Sequence, residues 1–317
     1  MNTRFMVQRL GFSLLVVVGV TIVVFMIIQL VPGDPARISL GQQATEENLR
    51  ARRERLGLDR PVIEQYWSWV THAVQGDLGK SLITNQPIAP QIADRLPTTL
   101  QLAGLALLIG MVIAFPLGIV SALKPGTLID MVATFISQLG VAIPDFWMSI
   151  LLVLLFSTTL GWLPPSGYMP ITQNFRGWLE HMILPAMTAG FISASIQTRF
   201  IRSAMLETLH QSYITTARAK GLREWVVILR HGLRNALITI VTILGLQMTA
   251  LLSAVVVIEI VFALPGLGSL TLDAVNARDY PLVQGSVLVM AILVTLINLG
   301  VDIIYFVIDP RIAHMEP

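Results

Sequence analysis

Long apolar stretches alternate with shorter polar ones along this chain, and their lengths set its architecture. A helix needs about 20 apolar residues to cross the hydrocarbon of a bilayer. Residues 10–30 form the first such stretch, interrupted only by glycines, Ser13, Thr21 and Gln29. Further stretches run over about 99–123, 131–160, 182–201, 237–262 and 283–308. The pattern predicts six transmembrane helices. The first follows Arg4 and Arg9 as a secretory signal would, but its apolar run exceeds the roughly 7–15 residues of a signal and no A-x-A site follows, so an uncleaved span is expected. The third is longer than a bilayer needs, and Pro144 is expected to divide it into an interfacial piece and a true span.

The polar stretch after the first span reads as a small helical insert rather than a linker. Thr45 suits a helix N-cap before Glu46, and Gly57 suits the stop after Leu56. Pro61 fits the start of a second helix. Val62, Tyr66, Trp69 and Ala73 then fall on one helical face. The rings of Tyr66, Trp67 and Trp69 suit packing at the outer membrane interface, where such rings are enriched, or contact with a partner protein.

Charge gives the orientation. With six spans, Arg4, Arg9, Lys124, a basic loop at 203–236 and Arg311 share one side, and the short opposite loops carry only Arg176 and Arg278. Both termini are therefore expected in the cytoplasm. The segment 31–97 is outside, with eight Lys/Arg and eight Asp/Glu, a length at which the charge rule no longer applies. The expected organisation is an N-terminal helix over 1–31, an extracytoplasmic insert over 32–97, and a core of five spans over 98–317.

Composition agrees with a membrane protein: 54% of the 317 residues are hydrophobic, 13% are charged, and mean hydropathy is +0.72. A net charge of +2 gives no reason to expect nucleic acid as a partner, and lipid is the expected surroundings. The absence of cysteine excludes a thiol nucleophile and a disulfide scaffold.

Catalytic readings fail one by one. Gly79-Lys80-Ser81 resembles the end of a phosphate-binding loop, but the required earlier glycine is Val74. The five histidines show no metal-ligand spacing, and no Ser/His/Asp order or G-x-S-x-G motif stands out. No catalytic residue, metal or cofactor is expected in this chain. Three acids do fall within spans, where an ionised group is costly. Glu259 and Asp302 are near span ends and are expected to reach the interface. Asp145, about 22 Å along a helix from Leu160, reads either as a helix cap after Pro144 or as a residue lining a passage. Gln138 and Gln247 are further candidates for a passage, or for hydrogen bonds between helices.

The most distinctive segment is the internal basic loop. Between 199 and 234 lie Arg199, Arg202, Arg218, Lys220, Arg223, Arg230 and Arg234, against only Glu207 and Glu224. Residues 213–220 read as a short helix, Gly221 interrupts it, and 225–230 resumes helical character. Contact with anionic lipid would account for the charge, at about 1 kcal/mol per cation. It would not account for a helix–Gly–helix with the small residues Ala217 and Ala219 at its centre, which let another surface approach.

Here the chain resembles the membrane subunits of ATP-binding-cassette (ABC) importers. Their loop pattern is E-A-A, three residues, G, nine residues, I-x-L-P. Thr215, Thr216 and Ala217 stand at E-A-A, Gly221 at the glycine, His231 at I, Leu233 at L and Arg234 at P. The departures are similar to the branch importing oligopeptides, dipeptides, glutathione and nickel. Val31-Pro32-Gly33-Asp34-Pro35, Leu56-Gly57-Leu58-Asp59 with Pro61, and Gly76-Asp77-Leu78-Gly79 match that branch's B-type permease. So do Leu264-Pro265-Gly266-Leu267-Gly268, Arg278-Asp279-Tyr280-Pro281 and Asp309-Pro310-Arg311. Thr239 stands where the branch usually has proline.

The resemblance implies an all-α type I importer permease of a bacterial inner membrane, forming half of a passage for short peptides. Glutathione, nickel chelates, or a channel or secondary transporter independent of ATP are the alternatives. It implies a second homologous permease subunit, two ATPase subunits that hold ATP and Mg, and an external solute-binding protein. Thr215, Thr216, Ala217, Arg218, Ala219, Lys220, Gly221, Leu222, His231, Arg234 and Asn235 would then dock the ATPase. The loop before the last span, with Pro265, Gly266, Leu267, Gly268, Arg278, Asp279 and Tyr280, would meet the binding protein.

Overall fold

A computed structural model describes residues 3–30, 33–40 and 44–308. Val31, Pro32 and the run Asp309-Pro310-Arg311, which contribute to the motifs above, lie outside the described residues. Among the described residues the fold is helical throughout, with a single isolated bridge between Lys80 and Pro87. In order the helices are α1 (Thr3–Leu30), α2 (Pro35–Leu40), α3 (Glu46–Leu56), α4 (Val62–Val74), α5 (Ile88–Leu123), α6 (Leu128–Ala142) and α7 (Asp145–Leu152). Then follow α8 (Phe175–Leu209), α9 (Ser212–Ala219), α10 (Glu224–Val226), α11 (Arg234–Val261), α12 (Leu267–Asn276) and α13 (Tyr280–Ile308). Two wide π-helical segments, Val153–Thr159 and Val227–Leu233, continue α7 and α10.

Among the described residues five helices are long and apolar enough to cross a membrane, and a sixth crossing needs a bent pair. The expected third span is that pair: Leu128–Ala142 and Asp145–Thr159 meet at 107°. Pro144 makes the break. It donates no backbone hydrogen bond and drives Ile143 into extended backbone (ψ 122°). The second span begins at Ile88 rather than near residue 99, because its first turns carry Gln91, Asp94 and Arg95 and so hide from an apolarity criterion.

The chain divides into two compact units. One comprises residues 1–98 and 265–296. In it, Thr45 caps α3 by accepting from the Asn48 amide at 3.3 Å, and Gly57, at φ +66°, closes the other end as Leu58 N–H reaches the Arg53 carbonyl. Replacing Thr45 by alanine is expected to cost about 1 kcal/mol of local helix stability, measurable as faster amide exchange across residues 46–50. The rings of Tyr66 and Trp69 pack on Phe25 of α1, with centroids at 5.4 and 6.3 Å, and Tyr66 Oη shares a 2.9 Å hydrogen bond with Thr21. The aromatic face therefore meets the first span of its own chain. Val62, half exposed, stands outside this contact. An apolar cluster of Ile88, Ile92, Leu267, Leu270, Ala274 and Leu282 joins the start of α5 to α12 and α13.

The second unit comprises residues 99–264 and 297–317. Its centre is α8, which packs on α11 and, through small residues, on α5 and α6. A Cβ on Gly140 would run into Ser195, one on Gly118 would stand 2.8 Å from Ile201, and one on Gly190 would stand 2.8 Å from Ile109. Bare glycines let helices approach closely, which is where packing energy comes from when lipid offers no hydrophobic drive. Glu259 does not reach an interface as expected: it is fully buried and accepts a 2.6 Å hydrogen bond from Thr99.

Candidate functional site

The basic loop folds as a compact helix–turn–helix. α9 ends where Lys220 and Gly221 turn the chain, Gly221 taking φ +75°. A residue with a Cβ is disfavoured there, which accounts for the glycine. Beyond it α10 begins at Glu224, and Glu224 reaches back to Arg218: Nη2 lies 2.6 Å and Nε 3.2 Å from its carboxylate. The guanidinium holds the Glu224 carboxyl below its ordinary range and is itself raised by the same bond. A depressed carboxyl stabilises the fold above its unfolded pKa, so the clamp is made at neutral pH and lost as pH falls through the carboxylate range. Both groups are about half exposed, so the contribution is small.

Underneath the clamp, Ile214, Ala217 and Val227 form a buried cluster against Leu209 at the end of α8. Asn235 ties the unit to the next span: its amide donates to Tyr213 Oη at 3.0 Å and to the His231 carbonyl at 2.9 Å. The loop is thus bonded and packed against the end of α8 and the start of α11. Its buried side uses Ala217, which closes the internal contact instead of offering itself outward. Thr215, Thr216, Arg218, Ala219, Lys220, Gly221 and Leu222 are exposed, as are Arg234 and Asn235, whereas His231 is half buried. Trp225, 60% exposed, joins Tyr213 and Leu222 on the outer surface. Sequence reasoning placed Trp225 in a helix without marking it as a surface anchor, though an unpaired tryptophan in a polar loop was a usable signal.

A second constellation escaped the sequence altogether. Arg202 of α8 grips Asp130 of α6 with two hydrogen bonds, Nε–Oδ1 at 2.6 Å and Nη2–Oδ2 at 2.8 Å. Ser121 of α5 donates to the same carboxylate, and the Gly126 amide adds a 2.9 Å bond. Asp130 is buried, and its charge is answered by four donors. The cluster fastens three helices where the chain turns between α5 and α6. Seventy-two residues separate Arg202 from Asp130, and no local pattern announces such a pair.

In the loop before the last span, Gly266 starts α12, and Leu267 and Gly268 are buried in its first turn. Arg278 is exposed and takes φ +56°. Asp279 is buried: its carboxylate accepts from the Ser81 hydroxyl and, at 3.0 Å, from the Leu82 amide. The lysine-serine pair that mimics a phosphate loop therefore belongs to a turn pinned by Asp279. Tyr280 is buried beside it. Of the passage candidates, Gln138 is exposed on α6, Asp145 is a half-buried first residue of α7, and Gln247 is buried on α11. Among the described residues no hydrogen bond joins these three.

Comparison with known proteins decides the family. Residues 114–314 match the model of the binding-protein-dependent transport system inner membrane component, and residues 2–103 match the model of the N-terminal part of such components. The chain belongs to this family of transport components. It is a multi-pass inner-membrane permease subunit of an ABC importer, and membership implies ATPase and solute-binding partners. The permease is 38% identical to the di/tripeptide transport system permease protein DppB of Pseudomonas aeruginosa, covering 98% of this chain and 99% of that one. It is 40% identical to the glutathione transport system permease protein GsiC of Salmonella choleraesuis, covering 93% and 94%. Its fold matches an inward-facing methionine ABC transporter, MetNI, with a TM-score of 0.59 at 17% identity, over 69% of the permease and 96% of the MetNI chain.

Proposed function

We propose that this permease carries short peptides, forming half of the passage with a second homologous permease subunit and docking one of two ATPase subunits through the α9–Gly221–α10 unit. The observation that carries the coupling role is the bonding of that unit: it is clamped by Arg218 and Glu224, packed on Leu209 at the end of α8, and tied to the start of α11 through Asn235. Such an element can transmit a displacement of the ATPase to the spans, as alternating access between two global states requires. Thr215, Thr216, Arg218, Ala219, Lys220, Leu222, Arg234 and Asn235 face the ATPase cleft, with Trp225 as an added anchor, while Ala217, Gly221 and His231 hold the unit's shape. Both termini and this unit are cytoplasmic. The insert at 32–97 is outside, and the binding protein meets Arg278 and the exposed rim of the 265–281 loop, where Pro265–Gly268 and Asp279–Tyr280 set the loop's conformation. Gln138, Asp145 and Gln247 line the passage.

Peptide is favoured over glutathione because relatives named for peptides cover the permease end to end at 37–38% identity. Glutathione, itself a tripeptide, is the second reading, and the GsiC relatives at 39–40% identity support it. The test is ATP hydrolysis by the complex co-purified through this chain and reconstituted with its binding protein. Stimulation by dipeptides or longer peptides bears out the reading, stimulation by glutathione alone or nickel chelates alone replaces it, and absence of a co-purifying ATPase overturns it.

A coupling role predicts a specific lesion. Nothing lies within 4 Å of a side chain added at Gly221, so Gly221→Asp meets no clash inside the subunit, and its cost there is the backbone strain of an aspartate at φ +75°, about 1–2 kcal/mol. It places a bulkier, charged group between the docking residues Lys220 and Leu222. Insertion and folding are expected to survive, hydrolysis to persist, and uptake to fall about tenfold, within the range of ordinary coupling energies. Parallel assays of uptake and hydrolysis check it, and normal coupled transport would remove the docking assignment.

A further inference from the structure

One cavity of about 720 Å³ has no part in the function described so far. It opens among the C-terminal end of α1, the α3–α4 turn and the start of α13. Its size lies within the roughly 300–1,000 Å³ of small-molecule sites. Its wall is apolar on one side, where Phe25 and Trp69 stack at 6.3 Å, and its rim carries charges of both signs from residues 53–60 together with Asp34. Arg53 and Asp34 neutralise each other there at 2.7 Å.

Two polar side chains line this cavity without partners among the described residues. Tyr280 and Gln284 stand one turn apart on α13, each only 8% exposed, and neither the Tyr280 hydroxyl nor the Gln284 amide nitrogen has a hydrogen-bond partner there. Buried polar groups are satisfied almost everywhere in native proteins, so two orphans on one face of one helix need an explanation. Both can donate, and the amide nitrogen can do nothing else. What they lack is an acceptor, a carboxylate or carbonyl oxygen. Gly33 keeps the hydroxyl uncovered, since a Cβ at that position would stand 3.2 Å from Tyr280 Oη. Asp279, held by Ser81 and Leu82, fixes the first turn of α13 that aims both donors.

We infer that this cavity is a binding site for a free short peptide, its carboxylate taken by Tyr280 and Gln284 and its ammonium end facing the acids of the rim, Asp59 among them. A zwitterion matches a floor of donors and a rim of mixed charge better than a simple anion would, and the Phe25–Trp69 wall accommodates a side chain of either polarity. The site rests on the peptide reading above and adds to it a holding place for cargo lined by the insert and the start of α13.

The experiment uses the assembled permease–ATPase complex in lipid nanodiscs without its binding protein, titrated calorimetrically with trialanine and with trialanine amide. Trialanine is expected to bind, and its amide about tenfold more weakly, since it loses the charged acceptor. Tyr280→Phe and Gln284→Met are each expected to weaken trialanine about tenfold while leaving the thermal midpoint of the complex unchanged or raised, because each removes an unsatisfied buried group. Variants that bind trialanine as the parent does overturn the site. So does a parent complex that binds none while peptides still stimulate hydrolysis through the binding protein, a result that leaves the peptide reading standing. Failure of every peptide to stimulate hydrolysis strikes the peptide reading itself. Weakened docking of the binding protein in Tyr280→Phe, with trialanine binding unaltered, would assign the cavity to a loop of that protein instead.

Discussion

Arg202→Met is expected to destabilise the permease by about 3–5 kcal/mol. Methionine fills similar volume but leaves Asp130 buried with only the Ser121 hydroxyl and the Gly126 amide as partners. The cost is that of an unanswered charge, not of the bond itself. A second variant separates these: Asp130→Asn with Arg202→Met removes both charges and should recover much of the loss. Thermal unfolding of the purified complex reads both. Equal damage in single and double variants would mean that the cluster acts through packing alone.

Gly140→Ala is the second large effect. The added methyl would overlap Ser195, whose Cβ stands 2.7 Å from where it would sit, with Phe191 Cε1 at 3.2 Å. Ser195 is buried and its hydroxyl is committed to the Phe191 carbonyl, so it has little room to retreat. Overpacking of this kind costs about 1–3 kcal/mol, here by prising α6 from α8. Ser195→Gly in the same chain should restore part of the stability, and a double-mutant cycle should show a coupling of about 0.5–3 kcal/mol between the two positions. Additive effects would mean that α6 shifts as a body and the close approach is dispensable.

Which of these features could be read from the sequence follows from the range of the interactions. The spans were legible because twenty consecutive apolar residues are a local property, and the caps at Thr45 and Gly57 because a cap is made by neighbours. The break at Pro144 was legible for the same reason, though not its 107° angle, which packing decides. The coupling unit was readable as a helix, a glycine and a second helix. Its inner and outer faces were not, and Ala217 turned inward because Ile214 and Val227 needed a third apolar partner. Asp130–Arg202, Thr99–Glu259 and Ser81–Asp279 were invisible, since each joins residues far apart in the chain and no periodicity records such pairs.

The Ser81–Asp279 bond also bears on how the protein is made. One hundred and ninety-eight residues separate its partners, and the apolar cluster around it likewise draws Ile88 and Ile92 to Leu267, Leu270 and Leu282. A ribosome releases the insert long before it reaches these closing residues, so the insert must wait, with Ser81 and its apolar neighbours uncovered, while four more membrane segments are synthesised. Interrupted synthesis at any point before α12 would leave that surface exposed and prone to association. Arrival of α12 and the start of α13 is therefore also the moment at which the turn at Ser81 and its apolar neighbours are covered, long after α3 and α4 have their own caps and contacts.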